Sequence, residues 1–296
     1  MSRQEQEPVI VHNLDLNKVT WATTYCRNAH EFGLKTAASV GTDDKSAVFI
    51  GDNIDHRQLI RLEKSGYFLG ACEGGEQERD NIINTNVTFL VSSTERLKVN
   101  RLLGLSDVNK LTIAGFPVNL ELLHGYATRW EDKIDKSVCF LGETRPEKNP
   151  EFELEVAKLL TLNGFRCFHF SPTKVSVFDR LTKRGVEVVE GLRGDEYYKR
   201  VSLMQYVVCC SERESLYVSG IETAAMGSVP VLPRNQESGY VDWCPPEQMY
   251  EYPIAESVLY AIKQLGSSEV GKVDVSYYSH KNYFKRLKKA MEVQDE

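Results

Sequence analysis

The sequence predicts an α/β fold made of two doubly wound, Rossmann-like domains that face a cleft. Short apolar runs alternate with longer amphipathic stretches from end to end, which is the pattern of βαβ units around parallel sheets. The same strand–helix series restarts near residue 137. The chain has 296 residues, which exceeds the length at which a single hydrophobic core usually stops growing. Two domains are therefore expected.

The first strand–helix series predicts an N-terminal α/β domain over residues 1–130. Its strands are apolar on both faces, as a sheet covered by helices on both sides requires. Amphipathic stretches such as 56–64 and 94–103 lie between them. The predicted strands are 8–14, 35–40, 47–52, 67–72, 87–92 and 110–116.

The second series predicts another α/β domain over residues 137–270. Its predicted strands are 138–142, 165–170, 186–189, 206–210 and 229–232. Its predicted helices are 150–163, 195–204, 218–226 and 254–265. The segment 125–136 carries several charges and no strand pattern, so the boundary between the domains is expected there. After a linker at 266–274, the residues 276–296 form a basic amphipathic helix.

Composition and charge exclude several classes of protein. The chain is 42% hydrophobic and 26% charged, which excludes a disordered protein, and its net charge of -6 is spread evenly. A globally basic nucleic-acid binder is thereby excluded, although a local basic groove is not. The chain has no apolar run of transmembrane length and no start of signal-peptide type, so we expect a cytoplasmic protein. Seven cysteines without metal-ligand spacing indicate buried, reduced thiols and no metal site.

The segment 206–232 reads as a strand, a loop, a helix that begins near Val218, and a second strand. Glu214 lies in the loop, and Glu222 lies eight positions on, in the first turns of the helix beside the small residue Gly220. The free N–H groups of a helix N-terminus favour an anion such as a pyrophosphate. A second carboxylate can accept hydrogen bonds from ribose hydroxyls. On spacing alone, two solvated surface carboxylates are the favoured interpretation.

This segment resembles the signature of the retaining GT-B glycosyltransferases, which use nucleotide sugars. Their motif has Ser-x-x-Glu, seven residues, a second Glu, and then Gly and Pro-Val before the next strand. One extra residue separates the Gly and the Pro in this chain. The matching positions are Ser211, Glu214, Glu222, Gly227, Pro230 and Val231.

The segment 138–160 resembles the first strand of that family's second domain, which carries Gly-Arg and a Lys ahead of a long helix. Gly142, Arg145 and Lys148 match it, with the arginine three residues after the glycine instead of next to it. Two cations at the end of a strand can hold a diphosphate leaving group and stabilise its developing charge. The alternative is a pair of solvated loop charges.

The resemblance implies a site for the donor in the second domain. Glu222 would hold the ribose, and Glu214 would contact the sugar hydroxyls or stabilise positive charge at the anomeric carbon. The predicted catalytic residues are Glu214, Lys148, Arg145 and Glu73. The predicted donor-binding residues are Gly142, Arg145, Lys148, Leu192, Arg193, Glu214, Tyr217, Val218, Gly220 and Glu222.

The first domain departs from the family pattern. Where the family often has Gly-Gly after its first strand, this chain offers His12, Asn17 and Lys18, which we predict on the acceptor side. Where the family often has a histidine near the reacting centre, strand order places Glu73 ahead of Gly-Gly. Glu73 is interpreted equally well as an acceptor-side carboxylate or as a turn residue.

The resemblance implies a glycosyltransferase that moves a hexose, with glucose as the expected sugar, from a UDP-sugar or a GDP-sugar to a hydroxyl acceptor with retention. It implies no cofactor beyond the donor and no obligatory metal. A non-catalytic nucleotide-sugar-binding protein and a sugar-nucleotide epimerase are the alternatives.

The acceptor stays open among a saccharide, a small molecule and a hydroxymethylated base in viral DNA. A basic strip of Arg96, Lys98 and Arg101, together with the terminal helix, would suit DNA. That helix could instead lie on an anionic membrane, or pack back on the first domain through its apolar stripe. The oligomeric state is not predicted.

Overall fold

A computed structural model describes residues 9–12, 29, 36–37, 46–50, 64–68, 87–91, 111–113, 115–211, 214, 216–234, 238–266 and 273–292. The chain divides into two compact units. The first unit comprises Met1–Pro117 and Tyr277–Glu296, and the second comprises Val118–Ser276. No helix in the described part of the chain is long and apolar enough to cross a membrane. All five cysteines in that part are buried and free.

The first unit contains a six-stranded parallel sheet in the order β2-β1-β3-β4-β5-β6. The order reverses between β1 and β3, which makes this a doubly wound sheet and confirms the predicted α/β class. Its strands are β1 Val9–His12, β2 Thr36–Ala37, β3 Ser46–Ile50, β4 Lys64–Phe68, β5 Val87–Val91 and β6 Leu111–Ile113.

One strand of this sheet is shifted from its predicted position. β4 runs over Lys64–Phe68, whereas the apolar run 67–72 was expected to form it. Lys64 pairs with Ser46 of β3, and Ser65 pairs with Val87 of β5. Residues 64–66 thus belong to the strand although they precede the apolar run, and the ladders on both sides satisfy their backbone groups.

The second unit contains a six-stranded parallel sheet in the order β12-β11-β10-β7-β8-β9. Its strands are β7 Ser137–Leu141, β8 Arg166–Ser171, β9 Val186–Glu190, β10 Tyr206–Val208, β11 Val229–Pro233 and β12 Met249–Tyr250. Its helices are α1 Leu120–His124, α2 Pro150–Leu162, α3 Phe178–Thr182, α4 Gly194–Val201, α5 Val218–Ala225 and α6 Ala255–Leu265. The strand order reverses between β7 and β10, the topological switch point at which such sheets bind ligands.

Helix α2 forms where its sequence predicts. Asn149 caps it, with a side-chain oxygen that accepts a hydrogen bond from the amide of Phe152 at 3.2 Å, and Pro150 occupies the first turn. The apolar face of the helix packs with α6 against one face of the sheet. Val138 and Phe140, which point the same way from β7, lie in this buried cluster.

The segment 118–136 belongs to the second unit, so the units divide upstream of the boundary predicted near 125–136. The amide of Ile134 donates to the carbonyl of Leu203 at 2.8 Å. The buried Lys133 ammonium donates to the carbonyls of Ser202 and Met226. These long-range bonds fix a stretch that looks like a charged linker in the sequence.

The terminal helix, α7 His280–Glu292, belongs to the first unit. Tyr283, Phe284 and Leu287 on one side of it are buried. The side chains of Lys281, Lys285 and Lys289, spaced four residues apart, are exposed. The helix therefore packs through its apolar stripe and presents a row of cations.

Candidate functional site

The candidate site lies at the carboxyl ends of β7 and β10, at the switch point of the second sheet. Gly142 follows β7 with φ +108°, a backbone conformation that favours glycine. A polar cavity of about 20 Å³, enough for about one water molecule, lies beside it. Its lining includes Phe140, Glu143, Lys148, Glu153, His169 and Ser211.

Lys148 and Glu214 meet at this point. The ammonium of Lys148 donates to Oε1 of Glu214 at 2.5 Å, and the two side chains are 29% and 13% exposed. They lie 66 positions apart in the sequence, and each follows a different one of the two strands. The structure therefore brings together one predicted cation and one predicted carboxylate in a largely dehydrated ion pair.

The backbone around Glu214 is held by residues 238–244. The amide of Glu214 donates to the hydroxyl of the buried Ser238 at 3.2 Å. The carbonyl of Glu214 accepts from the amide of Gly239 at 3.0 Å, and the indole of Trp243 donates to the carbonyl of Leu216 at 3.0 Å. Sequence reasoning missed Ser238 and Trp243, because only the folded chain brings them to the loop.

Helix α5 begins at the same edge of the sheet. Tyr217 precedes it with φ +58° and is buried. A Cβ atom at Gly220 would lie 2.9 Å from the ring of Trp243, so this glycine is required by close packing. In the described part of the chain no acceptor is recorded for the amides of Val218 and Ser219. Such free N–H groups at a helix N-terminus attract anions.

Glu222 is the fifth residue of α5 and is half-buried. Burial raises the pKa of its carboxyl to about 7. No hydrogen bond or ion pair joins this carboxyl to another described residue. Burial, and then the charge of Glu222, raise the pKa values of Tyr197 and Tyr198 in α4 above their usual range. A carboxyl group with a strongly perturbed pKa at a switch point is a candidate for ligand binding.

Other predicted donor residues lie at this edge of the sheet without joining the ion pair. Arg145 is 58% exposed, and its guanidinium pairs with Glu143 and Glu147 at 3.1 Å each. Leu192 is half-buried and Arg193 is exposed, in the loop between β9 and α4.

The predicted residues of the first domain are sparsely described. His12 is the last residue of β1, the strand at which the order of the first sheet reverses. Glu73, Asn17 and Lys18 lie outside the described residues. Within the described ranges, no group of three or more His, Cys, Asp or Glu side chains could hold a metal ion.

A second buried pair lies beside the cavity. Nδ1 of His169 lies 2.6 Å from Oε1 of Glu153, and Nε2 lies 3.1 Å from the carbonyl oxygen of Gly142. The burial of His169 follows from its place in the apolar strand β8, whereas no role for Glu153 was predicted from the sequence. The available signal was a carboxylate at helical spacing from the buried apolar residues Val156, Ala157 and Leu160 of α2.

Comparisons with known proteins support the fold. No protein-family model and no curated protein sequence matches the chain. Among solved structures, the lipopolysaccharide outer core galactosyltransferase WaaB is similar over 98% of this chain and 100% of its own, at 12% identity and a TM-score of 0.69. HepE from Anabaena, in complex with UDP-glucose, is similar over 97% and 99%, at 8% identity and a TM-score of 0.69.

TarM is similar over 85% of this chain at 15% identity and a TM-score of 0.62. The chain spans 55% of the length of TarM. These proteins are GT-B glycosyltransferases, and the similarity shows that the chain shares their α/β fold.

Proposed function

We propose that this protein is a glycosyltransferase that moves a hexose, with glucose as the first candidate, from a nucleotide sugar to a hydroxyl acceptor with retention. The Lys148–Glu214 ion pair at the switch point of the second sheet is the observation that carries the proposal. It places a cation for a leaving diphosphate beside a carboxylate for the sugar. Support also comes from the fold that the chain shares with glycosyltransferases.

The proposed donor is a UDP-sugar or a GDP-sugar. Its diphosphate would lie between Lys148 and the amides of Val218 and Ser219 at the start of α5, for which the described residues provide no acceptor. Its ribose hydroxyls would donate to Glu222, whose carboxyl has no other recorded partner among the described residues. HepE in complex with UDP-glucose and TarM in complex with UDP support this donor class.

The diphosphate would compete with Glu214 for Lys148. When the ammonium turns to the phosphate oxygens, the Glu214 carboxylate becomes free to bind sugar hydroxyls or to stabilise positive charge at the anomeric carbon. Arg145 can join the diphosphate, because its present ion pairs are exposed and therefore weak. Neither role requires a metal ion.

In the transfer step, the bond between the anomeric carbon and the diphosphate oxygen breaks, and the acceptor oxygen bonds to that carbon. The nucleoside diphosphate leaves with the bonding electron pair, and one of its phosphate oxygens accepts the proton that the acceptor hydroxyl gives up. Lys148 stabilises the charge that develops on the leaving group. Retention means that the new bond has the configuration of the old one.

A thermal-shift screen of nucleotide sugars, followed by mass spectrometry of the products, tests this function. A true donor at a hundred times its Kd adds about 2.7 kcal/mol of stability. If the protein transfers the sugar, the mass of the acceptor should increase by that of the sugar residue. The NMR signal of the anomeric proton in the product then shows whether the configuration is retained. Binding without consumption would favour a non-catalytic binding protein, and a new nucleotide sugar formed without acceptor would favour an epimerase.

We propose that the acceptor is a saccharide, a small molecule or a hydroxymethylated base in DNA. The exposed row of Lys281, Lys285 and Lys289 on α7 favours DNA as the first acceptor to test. Binding to DNA through such a row weakens steeply as salt rises. Absence of binding at low salt would remove DNA from the set.

A further inference from the structure

The buried pair formed by Glu153 and His169 does more than fill the core. Both side chains are almost fully buried, at 7% and 2% exposure, and both border the cavity that Lys148 lines. Glu153 is the fourth residue of α2, and His169 lies in β8. The pair therefore connects the helix that follows Lys148 to the strand beside β7.

The proton positions of the pair follow from its partners. The carbonyl oxygen of Gly142 can only accept, so Nε2 of His169 must carry a proton. One further proton lies between Nδ1 and Glu153, on either side of the 2.6 Å hydrogen bond. In both arrangements the pair is neutral overall, and the imidazole donates to Gly142.

A contribution to the stability of the fold does not by itself explain why a buried Glu153–His169 pair is present. A buried ionic pair is often no more stabilising than apolar side chains of similar volume. Its consequence for the loop after β7 is more specific. The amide of Gly142 donates to the carbonyl of Phe170 at 3.0 Å, and its carbonyl accepts from His169, so both polar groups of this residue are fixed to β8.

Fixing that carbonyl also fixes the amide of Glu143. In a planar trans peptide the C=O and N–H groups point in opposite directions, so the Glu143 N–H points away from His169. Glu143 borders the cavity, and no acceptor for its amide is recorded among the described residues. No described atom lies within 4 Å of the place where a Cβ of Gly142 would stand, so the space beside the Gly142 Cα is open among the described residues.

We propose that the Glu143 amide donates a hydrogen bond to a diphosphate oxygen of the nucleotide-sugar donor, and that Glu153 and His169 are positioning residues that orient this peptide. The inference rests on the proposed function, since it names a further contact of the same donor. The backbone donor and Lys148 come from one loop, so the peptide geometry and the ammonium serve the same phosphate groups.

The first test uses apolar replacement of the pair. In the double variant Glu153→Leu with His169→Phe, both ionisable groups are gone and the volume is roughly kept, so the protein should still fold and should lose no more stability than the hydrogen bond to the half-buried Gly142 carbonyl contributed. Affinity for UDP, measured by calorimetry, should fall at least tenfold, while affinity for uridine, which lacks phosphates, stays unchanged. Wild-type affinity for UDP in a stable double variant would overturn the inference.

The variant Glu153→Gln is the conservative control. Its amide can donate to Nδ1 of His169 while Nε2 keeps its proton and its bond to Gly142, so UDP affinity should stay within about twofold of the wild type. A tenfold loss in this variant would contradict the proposed orientation by His169.

A second measurement needs no mutation of the pair. Carbonyl-¹³C glycine combined with ¹⁵N glutamate selects the amides of Glu76 and Glu143, which are the glutamates that follow a glycine. The signal that vanishes in Glu143→Gln identifies Glu143. UDP should move this resonance strongly, whereas uridine should not. An unmoved resonance in protein that binds UDP would overturn the inference, and protein that binds neither UDP nor GDP would instead overturn the proposed function.

Discussion

Two lysines at opposite ends of the second sheet show how one fold uses the same side chain in two ways. Lys133 lies before β7, where its ammonium donates to the carbonyls of Ser202 and Met226 and to the hydroxyl of Ser228. It is buried, and burial lowers its pKa to about 8. Lys148 lies after β7, is 29% exposed, and has the Glu214 carboxylate as its partner.

The two lysines differ in whether a ligand could replace the groups that accept their hydrogen bonds. The acceptors of Lys133 are backbone and hydroxyl groups that the fold holds in place, and no solvent competes for them. The partner of Lys148 is a side chain beside a cavity, and a phosphate can replace it because phosphate also forms charge-assisted hydrogen bonds. Lys133 therefore serves folding, whereas the exchangeable partner of Lys148 suits its proposed role in binding a ligand.

The largest expected effect follows from Lys148→Met. This variant should lower kcat/KM for the transfer by about a thousandfold, or about 4 kcal/mol, because the leaving diphosphate loses its cation. Its free energy of unfolding should fall by about 2 kcal/mol, because the largely buried Glu214 carboxylate loses its partner, so the rates are compared in folded protein. Lys158→Met, on the exposed side of α2, is the matched control and should transfer at the wild-type rate. Full activity of the Lys148 variant would remove this residue from the site.

The matching change before β7, Lys133→Met, should lower the stability of the fold and leave donor binding unchanged. It leaves the buried carbonyl of Ser202 without its donor and takes one of two donors from the carbonyl of Met226, so urea unfolding should show a loss of about 2 kcal/mol. The folded fraction should bind UDP with the affinity of the wild type. A stable variant with weakened donor binding would show that the two lysines are not separated in function as proposed.

Glu222 gives a smaller, pH-dependent effect. Its pKa of about 7 implies that binding through the carboxylate weakens as pH falls from 8 to 6, by about tenfold. UDP-glucose is the suitable probe, since its diphosphate is esterified at both ends and does not titrate in this range. Glu222→Gln should bind more weakly and without this pH dependence. A wild-type affinity that stays constant over this range would contradict the assignment.

The same shift predicts a change in stability. Because the folded-state pKa of Glu222 is raised, the folded protein holds an extra proton between pH 4.5 and 7, and this carboxyl destabilises the fold as pH rises through that window. Glu222→Gln should therefore be more stable than the wild type at pH 8, with the difference vanishing near pH 4.5. Thermal unfolding at both values measures it.

Removal of metal ions is expected to have no effect on the transfer rate. In the proposed site, the charges of Lys148 and Arg145 and the backbone amides would stabilise the diphosphate, so EDTA should leave the transfer rate unchanged. Loss of activity in EDTA with recovery on adding Mg²⁺ or Mn²⁺ would show that a metal ion supplies part of that charge.

Local patterns in the sequence predict much of the second unit. The helical spacing and the Asn149–Pro150 start predict α2, and the Glu214 and Glu222 segment predicts the loop and helix after β10. The two-residue strand β12 escaped prediction because it lies among turns and is extended only by pairing with β11. In the first unit, pairing with β3 likewise makes Lys64 part of β4, although it precedes the apolar run.

The candidate site could be predicted only in part. Strand order places Lys148 and Glu214 at one edge of the sheet, but their direct ion pair depends on the loop that Ser238 holds. The bonds of Lys133 and of Glu153 to distant residues leave no periodic trace in the sequence. Contacts of this kind are specified by tertiary packing, which local propensity does not encode.

Binding of UDP to Glu214→Gln tests the central claim most directly. If the diphosphate replaces Glu214 as the partner of Lys148, removing the carboxylate charge frees the ammonium in advance. The variant should then bind UDP several-fold more tightly than the wild type and yet fail to transfer the sugar from UDP-glucose. UDP affinity that is unchanged or weaker, in a folded variant that still transfers sugar, would contradict the account.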